Sequence, residues 1–484
     1  MRNSSVTLLS ALLLAGCVAL PQTREADLPL PAAWPDAPPL QAGEKGAPLA
    51  HEWWKLFRDP ALDTLMDEAL AHNADLKLAA ARILEARAGL GATRAEQYPS
   101  AQLSTEASRS RSTERGQMTL PNNPASNFNL SLQAAYELDL WGRYARATEA
   151  ARADLLASRY GREVARLSLT HDVAAAWFGL TAVAAQTGLA QDTLANREEA
   201  LALQRLRVSG GVSSEYELQQ AEAELAATRA DLARLEQARR QTELALAVLL
   251  GRSPKALVED SIGAGKPPVE PAPPPAVPAG LPSELLRHRP DLQQAEAQLA
   301  AAQARIAEAR AAIYPDLSLT AYLGSESKAL SDLFSGPATI WGLTAGLVQT
   351  VFNAGRTEAV VQGRAARQEQ LLIQYEQAVR QAFREVLDAL VAQRQAAEID
   401  AAEARRAEAL TRAAELADLR YRNGVAGYLE VLDARRNQYQ ARQAVIDARR
   451  ARLTAVAGLS KALGGGWDGT PEEETAPAVA VKTP

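Results

Sequence analysis

The sequence predicts a mainly helical protein that carries a smaller transmembrane β-barrel portion and is built from two tandem structural repeats. Three observations lead there. The first is internal duplication. Arg207-Val-Ser-Gly-Gly211-Val-Ser recurs as Arg420-Tyr-Arg-Asn-Gly424-Val-Ala, and Gly142-Arg143 recurs as Gly355-Arg356, both pairs at one and the same interval. Asp75 and Tyr98-Pro99 return as Asp291 and Tyr314-Pro315, at a second shared interval slightly longer than the first. Solenoids repeat every ~20 to 50 residues, so a period nearly half the chain long marks one large unit, duplicated and fused. The second observation is a pair of proline-free stretches of about 65 residues, Arg143 to Arg207 and Arg356 to Arg420. The third is a set of segments of about ten residues that alternate apolar and polar side chains, the period of a strand with one greasy face.

In chain order, Arg2 followed by the apolar stretch Val6 to Ala15 reads as an export signal, too short to span a membrane. Leu14-Ala15-Gly16-Cys17 resembles a bacterial lipobox, which implies that Cys17 becomes the lipidated first residue of the mature chain. The plainer alternative is a secretory signal with an incidental cysteine. Residues 18 to 50 are rich in Pro and Ala without a helical period and read as an extended arm. Trp53-Trp54-Lys-Leu-Phe57-Arg-Asp59-Pro60 opens the ordered part. The expected divisions are a signal at 1–16, the arm at 17–58, a first repeat at 59–265, a Pro-rich strap at 266–282, a second repeat at 283–463 and a disordered tail at 464–484.

Each repeat reads as helix, strand, strand, helix, helix. The first strand is expected from Ala101 to Arg111. In the second, Phe128, Leu130, Leu132, Ala134, Tyr136 and Leu138 alternate with Asn127, Asn129, Ser131, Gln133, Ala135 and Glu137. The third sets Leu317, Leu319, Ala321 and Leu323 on one face, and the fourth Trp341, Leu343, Ala345 and Leu347. A soluble sandwich would alternate in the same way, but the helices offer no sheet-sized apolar layer for these strands to cover.

At 1.5 Å per residue the long helices reach roughly 100 Å, beyond what a globular core covers, so they must pack along their length. Leu218, Ala221, Leu225, Thr228, Leu232, Leu235, Arg239, Thr242, Leu246 and Leu249 step by three and four, a coiled-coil seam. Ala174-Ala-Ala176 and Ala401-Ala402 permit close approach on a second face, which favours a ring of helices over a lone two-stranded coil. Gly210-Gly211 and Asn423-Gly424 stand where a positive φ turns one helix back along the next. Bacterial outer-membrane barrels need at least about eight strands and tolerate no open edge in lipid. Four strands per chain therefore imply an oligomer with a shared wall.

Composition excludes other classes. A net charge of −6 with 23% charged residues argues against nucleic acid, which calls for a clustered basic face. His51, His72, His171 and His288 fit no metal-ligand spacing, no phosphate-binding loop occurs, and Gly89-Leu-Gly91 lacks the third glycine of a dinucleotide loop. Neither catalytic residues nor a metal or other cofactor are expected.

The chain resembles the TolC-like outer membrane efflux proteins, in their lipidated branch. The resemblance rests on Leu14-Ala-Gly-Cys17, Trp53-Trp54 with Phe57 and Asp59-Pro60, Ala69-Leu70 with Asn73 and Asp75-Leu76, Arg289-Pro-Asp-Leu292 through Ala311-Ala-Ile-Tyr-Pro315, Phe352-Asn-Ala-Gly-Arg356, and Tyr421-Arg-Asn-Gly-Val425 through Val431-Leu-Asp-Ala434. It implies a homotrimer in which a twelve-stranded outer-membrane barrel continues into a long periplasmic α-helical barrel. It also implies two partners, a periplasmic adaptor protein and an inner-membrane pump. The family's periplasmic gate maps onto Glu430 and Asp433, with Tyr421 matching a tyrosine that ties the closed helices together. An arginine expected two residues after the hairpin glycine is Ala426 here. The tips where adaptors dock map onto Ser209, Gly210, Gly211, Val212 and Ser213, and onto Asn423, Gly424 and Val425 through Gly427. Two other readings stay open: a lipid-anchored coiled-coil spacer of the envelope, and an outer-membrane channel for protein secretion. An envelope hydrolase would need a nucleophile and base that the sequence does not cluster.

Overall fold

The computed structural model describes residues 29–31, 34, 50–113, 115, 123–259, 261–262 and 282–470. The signal, Cys17, most of the arm, nearly all of the Pro-rich strap and residues 471–484 lie outside the described residues.

The first repeat comprises α1 (Pro60–His72), α2 (Ala74–Ala95), β1 (Ser100–Ser110), β2 (Ala125–Leu138), α3 (Arg143–Ser209) and α4 (Glu215–Leu249), followed by a short α5 (Pro254–Glu259). The second comprises α6 (Pro282–His288), α7 (Pro290–Ala311), β3 (Asp316–Ser327), β4 (Thr339–Val348), α8 (Arg356–Arg422) and α9 (Tyr428–Ala462). Three pairs of matching helices have equal lengths: 22 residues for α2 and α7, 67 for α3 and α8, 35 for α4 and α9. The single opening helix expected in each repeat is two helices, broken at Asn73 and Arg289. Asn73 caps α2, its Oδ1 accepting from Asp75 N at 2.8 Å, and Pro290 cannot continue the helix before it. β1 begins at Ser100, one residue before the expected Ala101.

The chain divides into two compact units. One holds Arg82–Ser158 with Gln294–Glu376; the other holds Leu28–Ala81 and Arg159–Gln293 with the segment from Gln377 onward.

The first unit contains an antiparallel sheet in the order β1-β2-β3-β4. Its register sets Leu103, Leu132, Leu323 and Trp341 in one row and Ala101, Ala134, Ala321 and Leu343 in the next. The opposite face carries Gln102, Gln133, Tyr322 and Gly342 in one row. Successive side chains point to opposite faces, so this register concentrates every apolar position of the alternating pattern on one side. That side is uncovered: Leu103, Trp341 and Leu343 are 71%, 74% and 74% exposed. A soluble sandwich would bury them. Among the described residues β1 and β4 each have one strand neighbour, leaving both sheet edges open. The corner between β2 and β3 is fixed by Trp141, which stacks on Tyr314 at 4.8 Å and donates its Nε1 to the Pro315 carbonyl at 2.8 Å. Arg143 clamps the same corner, reaching Glu137 at 2.6 Å and Asp316 at 3.1 Å.

The second unit is helical. Every position of the expected seam, from Leu218 to Leu249, is buried or half-buried. α3 contains an apolar window of mean hydropathy 1.4, long enough to cross a membrane. In the fold its Val173, Ala174 and Phe178 are fully buried as protein core. Two expected boundaries need correction. Trp53–Phe57 is not extended arm but a buried 3-10 turn, with Phe57 4.7 Å from Phe178, and Trp34 is buried 5.2 Å from Phe383. The tail is ordered through Thr470: Trp467 is buried edge-on to Tyr160, and its carbonyl lies 2.9 Å from His288 Nδ1.

The repeats share a close approach at the ends of α4 and α9. Gly251 and Gly464 have φ of +71° and +92°, and a Cβ there would sit 2.2 Å from the His72 carbonyl oxygen and 2.0 Å from that of His288. Only glycine fits on both counts. Beside them, Asn73 donates to the Leu249 carbonyl at 2.9 Å and Arg289 to the Ala462 carbonyl at 3.3 Å.

Candidate gate at the paired hairpins

All the candidate residues within the described chain gather at two helical hairpins of the second unit. One joins α3 to α4 and the other α8 to α9. Their backbones are the same motif. Gly210, Gly211 and Val212 donate to Leu206, Val208 and Arg207 carbonyls; at the equivalent places of the second repeat, Asn423, Gly424 and Val425 donate to Leu419, Tyr421 and Arg420. Gly211 and Gly424 both adopt φ +74°, a left-handed conformation that a side chain would strain.

The side chains diverge. Ser214 caps α4 and forms a reciprocal capping box with Glu217, whose carboxylate also receives the Ser213 hydroxyl. The equivalent cap of α9 is Gly427, which makes no side-chain bond. Glu430, the counterpart of Glu217, is thereby released from capping and pairs with Arg420 at 3.0 Å. Asp433 lies three residues on, on the same exposed face, and accepts from Asn437 at 3.2 Å.

Tyr421 faces the first hairpin. Arg207 donates to its hydroxyl and places its guanidinium 4.8 Å from the ring centroid. The ring lies 5.8 Å from Tyr428 and packs on a cluster of Leu201, Ala221, Leu225, Tyr428 and Leu432 drawn from α3, α4 and α9. Burial raises the Tyr428 phenol above its ordinary range, and burial followed by the hydrogen bond to Asp231 raises Tyr439 further up α9. Ala426 contributes no polar group.

Several partners escaped sequence reasoning. Arg207 and Arg420, equivalent residues of the duplicated motif, engage Tyr421 and Glu430 respectively. Arg197 reaches Glu224 at 2.9 Å, and Glu224 in turn holds Arg436, so a charged chain ties α3, α4 and α9 together. Among the ion pairs between the helices of each hairpin, one rung falls at matching places, Arg205 to Glu222 in the first and Asp418 to Arg435 in the second, both at 3.0 Å. These are equivalent positions with opposite charges. The interval that relates Gly211 to Gly424, applied to every charge near the tips, would have exposed them.

The tips also present apolar side chains in duplicate. Leu203, Leu206, Val212 and Tyr216 are exposed in the first hairpin, and their counterparts Leu416, Leu419, Val425 and Leu429 are exposed in the second.

Comparison with known proteins covers both repeats. The chain matches the outer membrane efflux protein family over residues 65–252 and 281–465. The pyoverdine export outer membrane protein OpmQ of Pseudomonas aeruginosa is 35% identical over 481 residues, 96% of this chain and 98% of that one. The cation efflux system protein CusC of Escherichia coli is 34% identical over 465 residues, 94% of this chain and 97% of that one. Among solved structures, the open state of the Neisseria gonorrhoeae MtrE outer membrane channel aligns with a TM-score of 0.82 at 32% identity, covering 94% of this chain and all of that one. The uncovered apolar sheet, the paired long-helix hairpins and the duplicated plan are those of an outer-membrane efflux channel, and the chain belongs to the outer membrane efflux protein family.

Proposed function

We propose that three copies of this chain close one pore that serves as the passive outlet of a tripartite efflux system. A periplasmic adaptor and an inner-membrane pump deliver small molecules to it, and transport energy comes from the pump. The observation that carries this reading is the sheet, which exposes its apolar face and leaves both edges unpaired among the described residues. Lipid stabilises such a face, and only closure by further strands satisfies the edge backbone groups. Three copies give the twelve strands that the family resemblance implies.

Cys17 is the anchor in the same proposal: cleavage after residue 16 leaves a lipidated cysteine at the start of an arm that holds the protein at the outer membrane. Glu430 and Asp433 line the periplasmic gate, and Tyr421 holds the hairpins together in its closed state. The adaptor docks on the tips, Ser209 to Ser213 and Asn423 to Val425, where the repeated exposed apolar residues offer it equivalent footholds. The substrate is set by the pump and adaptor.

The test is the mass of the detergent-extracted protein by multi-angle light scattering, together with lipid labelling of Cys17→Ser. A trimer whose label disappears in the variant fits the proposal. A folded monomer contradicts the shared wall, and persistent labelling contradicts the anchor.

A further inference from the structure

Within the first unit, α3, α7 and α8 line a cavity of about 320 Å³. Its wall carries Arg305 of α7 and Arg364 and Arg367 of α8 against a single carboxylate, Asp154 of α3, and Gln298 and Gln374 add amides. Asp154 is committed to Arg305. Arg367 donates to the Gln370 side chain at 3.1 Å, and neither it nor Arg364 meets a carboxylate among the described residues. Three guanidiniums against one carboxylate leave this wall at +2.

The duplication shows that the cluster is not a by-product of the helix plan. At the intervals that relate the repeats, Arg305, Arg364 and Gln374 correspond to Gly89, Ala151 and Gly161, none of which can hold an anion through a side chain. The same helix positions are thus built without this chemistry in the first repeat.

Arg143 fixes the side on which the cavity opens. Its guanidinium reaches Glu137 and Asp316, which by their place in the alternation stand on the polar face of the sheet. Asp154 lies about three turns further along the same face of α3, roughly 16 Å from Arg143. On α8, Arg367 holds the corresponding place with respect to Arg356. The cavity therefore opens on the polar side, away from the uncovered apolar rows.

We infer that this cavity is an anion-binding station on the pore wall, a placement that rests on the three-copy assembly proposed above. Its occupant is a small organic anion bearing at least two carboxylates. Ligand cavities run from about 300 Å³ upward, so the volume suits a small solute. Each guanidinium presents a planar fork that takes a carboxylate through two hydrogen bonds, and Arg364 and Arg367 supply two such forks. Asp154 limits the site by repelling any carboxylate brought near Arg305.

Citrate is the probe, titrated calorimetrically into the detergent-purified full chain, with glycerol as the uncharged control. Wild type should bind citrate and not glycerol. Arg364→Gln with Arg367→Gln should weaken citrate binding by at least about tenfold, the loss of charge-assisted hydrogen bonds. Asp154→Asn, which removes the repelling carboxylate and frees Arg305, should tighten it by about threefold. Equal affinity in wild type and the double variant, or weaker binding in Asp154→Asn, overturns the site. In planar bilayers citrate should lower the conductance of wild type and spare the double variant. Binding with no effect on conductance, in protein that light scattering shows to be trimeric, overturns the pore-side placement. Citrate binding by a folded monomer overturns the assembly instead and leaves the chemistry of the cavity standing.

Discussion

The hairpin around Gly211 and the hairpin around Gly424 have one backbone and two chemistries. In the first, Ser214 draws Glu217 into a helix cap, and the carboxylate is consumed in holding its own chain. In the second, Gly427 offers no side chain, and Glu430 remains on the surface with Arg420 as its ion-pair partner. The arginines diverge too: Arg207 crosses to Tyr421 of the other hairpin, while Arg420 stays within its own. Duplication kept the turn, which tolerates little change at φ +74°, and left the flanking side chains free to specialise. In the gate proposed above, the first hairpin is the brace and the second the charged element that moves.

The arginines should show the largest difference. Arg207→Ala removes a charge-assisted hydrogen bond and a stacking contact at a half-buried tyrosine, together worth about 2 kcal/mol. Open probability in planar bilayers should rise by about 30-fold, since each ~1.4 kcal/mol is a factor of ten. Arg420→Ala breaks an exposed pair, side chains 57% and 48% accessible, worth at most about 1 kcal/mol, and should raise opening by no more than about fivefold. A larger effect at Arg420 would reverse the division of labour.

A smaller change should make the second hairpin resemble the first. Gly427→Ser installs the missing side-chain cap of α9, stabilising it by roughly a few tenths of a kcal/mol over glycine and drawing Glu430 into a capping box. Thermal unfolding should shift upward while cation preference falls. A stability gain with unchanged selectivity would show that Glu430's freedom is not what the pore uses.

The rungs should matter least to the pore itself. Asp418→Arg places like charge beside Arg435 and costs about 0.5 to 1 kcal/mol, the scale of an exposed pair. Adding Arg435→Glu recreates the polarity of Arg205 and Glu222 and should recover most of the loss in thermal unfolding. Arg422, which also reaches Asp418 at 2.7 Å, keeps the recovery short of complete. Failure of the second substitution to help would mean the rung is not an independent pair.

What the sequence disclosed and what it hid follow from the range of the interactions. The turn at Gly424, the seam through Leu225 and Leu246 and the alternation through Leu132 are local patterns and could be read directly. The break at Asn73 depends partly on the Leu249 carbonyl, 176 residues away, and the burial of Trp467 depends on Tyr160. No local pattern announces either, so one helix was expected where two form and disorder where a tryptophan is packed. At the hairpins, Tyr421, Glu430 and Asp433 came from family resemblance. Their partners Arg207 and Arg420 did not, because which arginine meets which acceptor is decided only when α3, α8 and α9 are laid side by side.

The most direct measurement is the reversal potential and conductance of the purified channel in a planar bilayer under a salt gradient. Wild type should conduct poorly and prefer cations. Glu430→Gln with Asp433→Asn should raise conductance and weaken that preference, while Glu217→Gln, at the equivalent place in the first hairpin, should leave both unchanged. Equal effects from the two hairpins, or none from Glu430 and Asp433, would contradict a gate built into the second hairpin alone.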